Sequence, residues 1–404
     1  MGTLASTAQQ LAFPDGVREV LCASTLVPLR KKDGGVRPIA VGDTLRRVVG
    51  KCLLHLEAVA SEMACLQPRQ CGVGVRNAAE MVGMGLQRLV QSCHHNGDTD
   101  YVVLQVDMRN AFNSVSRDAV LRGCLAKVPS AYTWMRFCYG GQSPLFCQGR
   151  LLCTSEVGVH QGDACGPLGF ALGLDFGLDQ CAPQDLTWES WYLDDGHIVG
   201  KPAEVLARLQ GLQQALHKVG LHLNLAKCNL WGPGVQSAYE SGPHYPEGCT
   251  DEHPGRQVPV IPFGGDRGIT ALGVPVDAPW QLPHREETRP ECHAVWGRTV
   301  EKAGMLLQRL RGLPDGQIRH ALLRYCLDGC RVVHLLRSTE REGAGDHPAI
   351  LRARLQEAVE DLLGMGVSDT VWEQVSLPTH LGGLGISDPL VLQPVARVGR
   401  RRWL

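Results

Sequence analysis

Two adjacent acids set between strand-forming residues constrain this chain more than any other feature. Trp191 to Val199 reads as two short strands joined by a tight turn at Asp194-Asp195, with Gly196 next, which is a strong hairpin signal. Both carboxylates then sit at its tip. Tyr101 to Asp107 is a second compact run of strand formers that also ends in an acid. It is followed by Ala111-Phe112 and by a helix capped by Ser116, with Asp118 in its first turn. Glu204 to Val219 reads as a helix ended by Gly220, and Leu221 to Leu230 as a strand. The order strand, helix, hairpin, helix, strand defines an α+β fold. Asp107 lies far from Asp194 in the sequence, so the acids converge only if the strands pair.

The flanking segments have simpler patterns. Val17 to Lys51 predicts a helix, a strand from Ser24 to Leu29, a turn at Asp33-Gly34-Gly35, and a second strand running into a basic helix. Leu45 to Met63 and Ala78 to Ser92 carry the apolar spacing of amphipathic helices and are expected to pack beneath that hairpin. Gly158 to Leu174 predicts a loop feeding a buried helix. From Gly232 to Gly268 the chain is rich in Gly, Pro and His without periodicity, and poor order is expected there. A strand is expected from Ile269 to Val276, and helices over Glu291–Leu313, Gln317–Leu336 and Ala349–Leu363.

Composition sets the compartment. With 44% hydrophobic and 20% charged residues, extended disorder and fibrous repeats are excluded. The 16 cysteines include no CxxC pair or zinc-ligand spacing, and are read as reduced, mostly buried thiols. No apolar run approaches the length that spans a bilayer, and the N-terminus lacks a secretory pattern, so an intracellular, non-secreted protein without membrane contact is expected. The net charge of −1 is low for a protein that grips phosphate. Basic residues nevertheless cluster at Arg30-Lys31-Lys32, at Arg46-Arg47 with Lys51, and at Arg397 with Arg400-Arg401-Arg402, which leaves room for local basic surfaces.

Three aspartates brought together by folding would make a strongly negative cluster able to hold Mg²⁺, an ion that takes one or two carboxylates plus substrate phosphates. Two such ions roughly 4 Å apart suit in-line attack of a hydroxyl on a phosphate. Each piece alone has a plain structural reading, since Asp-Asp-Gly is a common turn and Asp107 could simply end a strand. The combination carries the argument.

That combination resembles the reverse transcriptase family, most closely the polymerases of non-LTR (LINE-like) retroelements. Val106-Asp107-Met108-Arg109-Asn110-Ala111-Phe112 is similar to the family's first catalytic motif. Gln161-Gly162-Asp163 through Gly166-Pro167-Leu168 is similar to the second, with Ala164-Cys165 where Pro-Leu is common. Tyr192-Leu193-Asp194-Asp195 matches the YxDD third motif. Lys31-Lys32-Asp33-Gly34 with Arg37-Pro38-Ile39 resembles the fingers motif, Gly220-Leu221 through Asn224 and Lys227-Cys228 the motif after the hairpin, and Leu272-Gly273-Val274-Pro275 the primer grip. Leu377-Pro378 with Gly382-Gly383-Leu384-Gly385 is similar to a segment that follows the polymerase in LINE-like proteins.

The resemblance implies roles residue by residue. Asp107 and Asp194 would ligate two Mg²⁺ ions, with Mn²⁺ as a substitute, and Asp195 would support them. Arg37 and one of Lys31 or Lys32 would clamp the triphosphate, an arginine fork suiting phosphate oxygens. Phe112 would be the steric gate that excludes a ribose 2′-hydroxyl. Gln161 and Gly162 would pack against the nucleotide and template, the glycine allowing close approach. Lys227 would protonate the departing pyrophosphate, a role worth about 10² to 10⁴-fold. Outside the resemblance, these residues read as surface turns, a loop, a core phenylalanine and a salt-bridged lysine. His160 and His197 are read as hydrogen-bonded structure.

The implied fold is a right hand: fingers over residues 1–100, a palm over 101–284 whose antiparallel sheet is flanked by helices and includes the 232–268 loop, and a helical thumb with the C-terminal segment over 285–404. The implied partners are an RNA template, a DNA primer and dNTPs, within a nuclear or cytoplasmic ribonucleoprotein. No segment resembles an endonuclease, an RNase H or a zinc knuckle, so the chain is expected to be part of a larger element. The alternative is a catalytically inactive retroelement remnant that binds nucleic acid or proteins. An intron maturase, expected to carry a basic extension after the thumb, fits less well.

Overall fold

Strand formers on both sides of Gly34-Gly35 pair into the first hairpin among the described residues. The computed structural model of this 404-residue chain describes residues 16–30, 34–235, 258–263, 268–278 and 289–401. A short helix, α1 (Val17–Cys22), leads into β1 (Ser24–Arg30), which pairs antiparallel with β2 (Val36–Gly42) from Ser24↔Gly42 to Arg30↔Val36. The helix expected from Leu45 to Met63 is split into α2 (Thr44–Leu54) and α3 (Glu57–Glu62). The split falls at Leu56, whose extended backbone (ψ 133°) cannot continue a helix. Asp43 begins α2 by accepting from Leu45 N at 2.7 Å. After a short 3₁₀ turn comes α4 (Ala78–His95).

The chain forms two compact units, Met1–Ala78 with Asp100–Val260, and Ala79–Thr99 with Ile261–Leu404. In the first, β3 (Val102–Val106) precedes the single-turn α5 (Ala111–Ser114), α6 (Arg117–Lys127) and α7 (Pro129–Tyr139). Ser116 caps α6, as expected, through Ala119 N at 3.5 Å. Then follow β4 (Ser143–Cys147), β5 (Arg150–Ser155), α8 (Gly166–Leu178), the hairpin β6 (Trp188–Tyr192) and β7 (Asp195–Gly200), α9 (Pro202–Lys218), β8 (Asn229–Trp231) and β9 (Val260–Ile261). Two sheets result. One runs β2-β1-β4-β5, with β1 and β4 parallel; the other runs β6-β7-β3-β8-β9.

The second sheet is the core of this unit. Val102, Val103, Leu104 and Val106 of its central strand are all buried, as the apolar run, interrupted only at Gln105, requires of a strand covered on both faces. Helix α8 is apolar around its circumference except at Asp175, which pairs with Arg69 and Lys127, and Leu168, Phe170, Leu172 and Leu174 are buried, each worth about 1.5–3 kcal/mol relative to exposure. The strand expected from Leu221 to Leu230 is mostly absent: only Asn229–Trp231 pairs as a strand, with an isolated bridge between Met108 and Leu223. A turn closed by Lys227 N and Cys228 N on Asn224 O, at 2.8 and 3.0 Å, takes its place. The expected α+β class, with an antiparallel sheet flanked by helices, is what the chain adopts.

In the second unit, the strand expected over Ile269–Val276 is instead a hairpin, β10 (Ile269–Ala271) and β11 (Val274–Val276). Leu272 (φ 50°) and Gly273 (φ 84°) form the two left-handed positions of a tight turn. Helix α4 was expected beneath the β1–β2 hairpin; it belongs to this unit and lies against β11, where a Cβ on Gly83 would come within 2.5 Å of Val274. Helix α10 (Pro290–Arg311) is continuous. The helix expected over Gln317–Leu336 is broken into α11 (Gly316–Leu322), a π-turn, a 3₁₀ turn and α12 (Val333–Ser338). Asp328 causes the break, since its buried carboxylate accepts from Cys330 N and Ser387 N, both at 2.9 Å, and so starts a new turn. Helices α13 (Arg341–Ala344), α14 (His347–Leu363), α15 (Asp369–Ser376) and α16 (Pro389–Arg401) complete the unit.

Among the described residues, no helix is long and apolar enough to cross a membrane. The described cysteines are all free thiols, seven of them buried and four exposed. Most of the Gly/Pro-rich 232–268 segment, and with it the expectation of poor order, lies outside the described residues.

Candidate active site

The register of the second sheet gathers the acids. β3 pairs with β7 from Val102↔Gly200 to Val106↔Gly196, and β6 with β7 from Trp188↔Val199 to Tyr192↔Asp195. One further step sets Asp107 opposite Asp195, at the roughly 5 Å spacing of antiparallel neighbours. The turn is at Leu193-Asp194, one residue earlier than expected: Leu193 takes φ 55°, and Asp195 already belongs to β7. The side chain of Gln70, to which no motif pointed, holds this turn.

The segment after α9 fixes the other acid. Asn224 N donates to Asp107 O at 2.9 Å, Arg109 N donates to His222 O at 2.9 Å, and Asp107 N donates to the buried Cys228 Sγ at 3.4 Å. These bonds hold the backbone at the end of β3 while leaving the Asp107 carboxylate half-exposed.

A cleft of about 810 Å³ opens in front of the acids. Six of the expected residues line it: Arg37, Asp107, Phe112, Gln161, Asp194 and Lys227. Arg30, Arg109, Asn110 and Asn224 line it too, and of these the two arginines add cationic charge that the motifs did not assign to the site. Asp195 and Gly162 are outside the lining, and Lys31 and Lys32 lie outside the described residues. Gly162 makes its close approach to β2: a Cβ there would be 2.4 Å from Ala40 O.

The acids are electrostatically coupled. Withdrawal from water raises the Asp194 pKa, as does the Asp107 charge, while Arg37 pulls it down. Asp195 is pushed up to about 6, by withdrawal from water and then by the charges of Asp194 and Asp107. Such crowding of like charge is relieved by a cation. Among the described residues, no three His, Cys, Asp or Glu side chains form a ready-made metal cage. The donor set fits Mg²⁺, which completes its shell with water and substrate phosphates around one or two carboxylates.

Two buried contacts shape the cleft walls. Phe112 lies on Phe170 of α8 with ring centroids 4.5 Å apart. Asp163, two residues after Gln161, accepts from Arg46 at 2.7 Å and from the Tyr139 hydroxyl, with the Arg46 and Asp163 side chains fully buried. Arg46 is therefore not part of the basic surface expected from its neighbours in sequence. His160 is buried between Ser24 Oγ and Ser155 Oγ, each 3.2 Å away, which supports a structural role.

Comparison with known proteins adds to this geometry. The family model described as reverse transcriptase (RNA-dependent DNA polymerase) matches residues 29–276. The Retrotransposable element SLACS 132 kDa protein of Trypanosoma brucei gambiense is 23% identical over 384 residues, which is 91% of this chain and 28% of that protein. The chain thus spans less than a third of the curated relative that it matches. Among solved structures, a telomerase from Candida albicans in complex with a fragment of telomeric RNA aligns over 92% of this chain and 67% of its own, with TM-score 0.45 and 10% identity. An apo telomerase from Candida tropicalis, truncated from its C-terminal domain, aligns over 52% of this chain and 49% of its own, with TM-score 0.37 and 12% identity.

Proposed function

Because the chain belongs to the reverse transcriptase (RNA-dependent DNA polymerase) family, nucleotidyltransferases by activity, we propose that it extends a primer 3′-hydroxyl with dNTPs on an RNA template, using two Mg²⁺ ions at Asp107, Asp194 and Asp195. The observation that carries this reading is the convergence of Asp107 and Asp194, distant in sequence, on one cleft that Arg37 and Lys227 also enter. When bound, the paired ions activate the attacking hydroxyl and neutralise the leaving pyrophosphate, and Mn²⁺ can substitute.

The chain's own residues do the rest. Arg37 holds the triphosphate by paired hydrogen bonds, assisted by Lys31 or Lys32. Arg30, on the same strand pair, adds a further cation. Phe112 closes the space that a 2′-hydroxyl would occupy. Gln161, on the loop braced by Asp163 and Arg46, meets the base pair being formed, and Gly162 keeps that loop close to β2. Lys227 gives a proton to the pyrophosphate as it leaves. In this reading residues 1–100 act as fingers, 101–284 as palm and 285–404 as helical thumb and C-terminal segment. The protein works with its template inside the cell, in a nuclear or cytoplasmic ribonucleoprotein, and similarity to a retrotransposable-element protein supports a retroelement origin.

The test is incorporation of dNTPs on primed RNA with Mg²⁺. Incorporation by the wild type and its loss in Asp194→Ala are expected. Salt-sensitive binding without incorporation would select the inactive-remnant reading instead.

A further inference from the structure

The turn that carries Asp194 is clasped by a segment far upstream. Gln70 is fully buried, and its amide meets Leu193 from both sides. Oε1 accepts from Leu193 N at 2.8 Å and from Gly72 N at 2.9 Å, while Nε2 donates to Leu193 O at 3.2 Å. The backbone around Gln70 joins β6 as a one-residue parallel bridge: Trp191 N donates to Arg69 O and Cys71 N to Trp191 O, both at 2.7 Å. The strap lies flush on the turn, because a Cβ on Gly72 would be 2.6 Å from Leu193 N.

The turn needs such a clasp. Leu193 has φ 55°, a left-handed conformation that leucine disfavours and that hairpin turns ordinarily give to Gly or Asn. The β6–β7 ladder ends at Tyr192↔Asp195, so it does not pair the peptide groups of Leu193. Gln70 supplies both a donor and an acceptor at that residue, as an amide side chain can do in one orientation.

We propose that Gln70 is a positioning residue for catalysis: its amide locks Leu193 in the left-handed conformation and so aims the Asp194 carboxylate into the cleft. The proposal rests on the polymerase reading of Asp194. Glutamate at position 70 would keep the acceptor arm, lose the donor to Leu193 O and bring another negative charge to the acidic cluster. Alanine would remove both arms.

The experiment compares the full-length wild type with Gln70→Ala, Gln70→Glu and the double variant Gln70→Ala with Leu193→Gly. Hydrogen–deuterium exchange at the Leu193 amide is read beside single-nucleotide incorporation over a Mg²⁺ titration. In Gln70→Ala, faster exchange at Leu193 is expected, with kcat lower by about 10–100-fold, as for a small misplacement of a reacting group. KM for dNTP stays unchanged and the Mg²⁺ midpoint rises. Adding Leu193→Gly restores part of the lost kcat, since glycine takes positive φ without penalty. Gln70→Glu keeps side-chain volume and the acceptor, so it tests the donor arm even if Gln70→Ala does not fold; raised exchange and a raised Mg²⁺ midpoint are expected there too.

Loss confined to the folded fraction, with an unmoved Mg²⁺ midpoint and no rescue by glycine, would mean a merely structural role and overturns the proposal. Unchanged exchange at Leu193 in the folded variants overturns it whatever the activity. A wild type that incorporates no nucleotide defeats the polymerase reading alone, and the exchange data then decide whether Gln70 holds the turn.

Discussion

The ring of Phe170 lies under that of Phe112, centroids 4.5 Å apart and planes 13° from parallel. Phe170 is wholly buried on α8, so the face of Phe112 turned to the cleft has rigid backing. If Phe112 is the sugar gate, Phe112→Ala should raise ribonucleotide incorporation relative to deoxyribonucleotide by about 10–100-fold, the range for removing a few buried carbons from a discriminating pocket. Phe170→Leu should produce a smaller increase through the loosened support. Competition assays with paired nucleotides measure both, and wild-type selectivity in Phe170→Leu would show that the backing is irrelevant.

The Arg46–Asp163 pair is sealed from solvent, and the Tyr139 hydroxyl shares the same carboxylate. Removing one charge leaves the other buried without a counter-charge. Arg46→Met or Asp163→Leu alone is therefore expected to destabilise the first unit by about 3–5 kcal/mol, whereas the two together should cost less than either single change. Denaturant midpoints for the four proteins provide the comparison; a double variant as unstable as the sum of the singles contradicts the account.

His160 carries a pH signature. Burial, then the charges of Arg46 and Arg117, lower its pKa from 6.5 to about 4, against an opposing pull from Asp163. The unfolded chain thus binds the proton more tightly than the folded one, so stability is intact above pH 6.5 and falls as pH drops towards 4. The loss approaches about 3 kcal/mol at the acid end. Melting temperatures across that window should decline less steeply in His160→Gln, and parallel curves would assign the acid sensitivity to other groups.

Like charges at Asp107, Asp194 and Asp195 strain the metal-free site. At pH 7 without divalent ions, Asp195→Asn should melt at a higher temperature than the wild type. Mg²⁺ should raise the wild-type melting temperature by the linkage of binding to folding, about 2.7 kcal/mol at a hundredfold excess over Kd, and should do so much less in Asp194→Ala. Equal Mg²⁺ responses in the two proteins would remove these acids from metal binding.

How far the sequence was legible depended on whether the deciding force was local. The apolar run of β3, the Ser116 cap and the oily length of α8 are set by neighbours in the chain, and each appears where its pattern placed it. Breaks set by distant partners were not visible. Asp328 interrupts a helical pattern because Ser387 N reaches its carboxylate, and residues 221–228 leave the extended form to hold the backbone of Asp107. The one-residue shift of the acidic turn also involves a distant partner, since the Gln70 side chain bonds both peptide groups of the left-handed Leu193. Arg46 reads as a surface cation from its basic neighbours, yet its partner Asp163, distant in sequence, holds it in the core. A motif catalogue points to residues that touch substrate, and it is silent on those that hold them.

Helix α4 is made early in the chain but matches β11, which is made late. During synthesis Gly83 and Gln87, which meet Val274 and Pro275 of β11, leave the ribosome long before that strand exists. The Asp100–Val260 part of the first unit must be translated in the interval. The nascent helix therefore waits without its β11 partner while those residues are made, and products stalled or cut short in that interval would expose the face that β11 covers, a handhold for a chaperone and a point of aggregation.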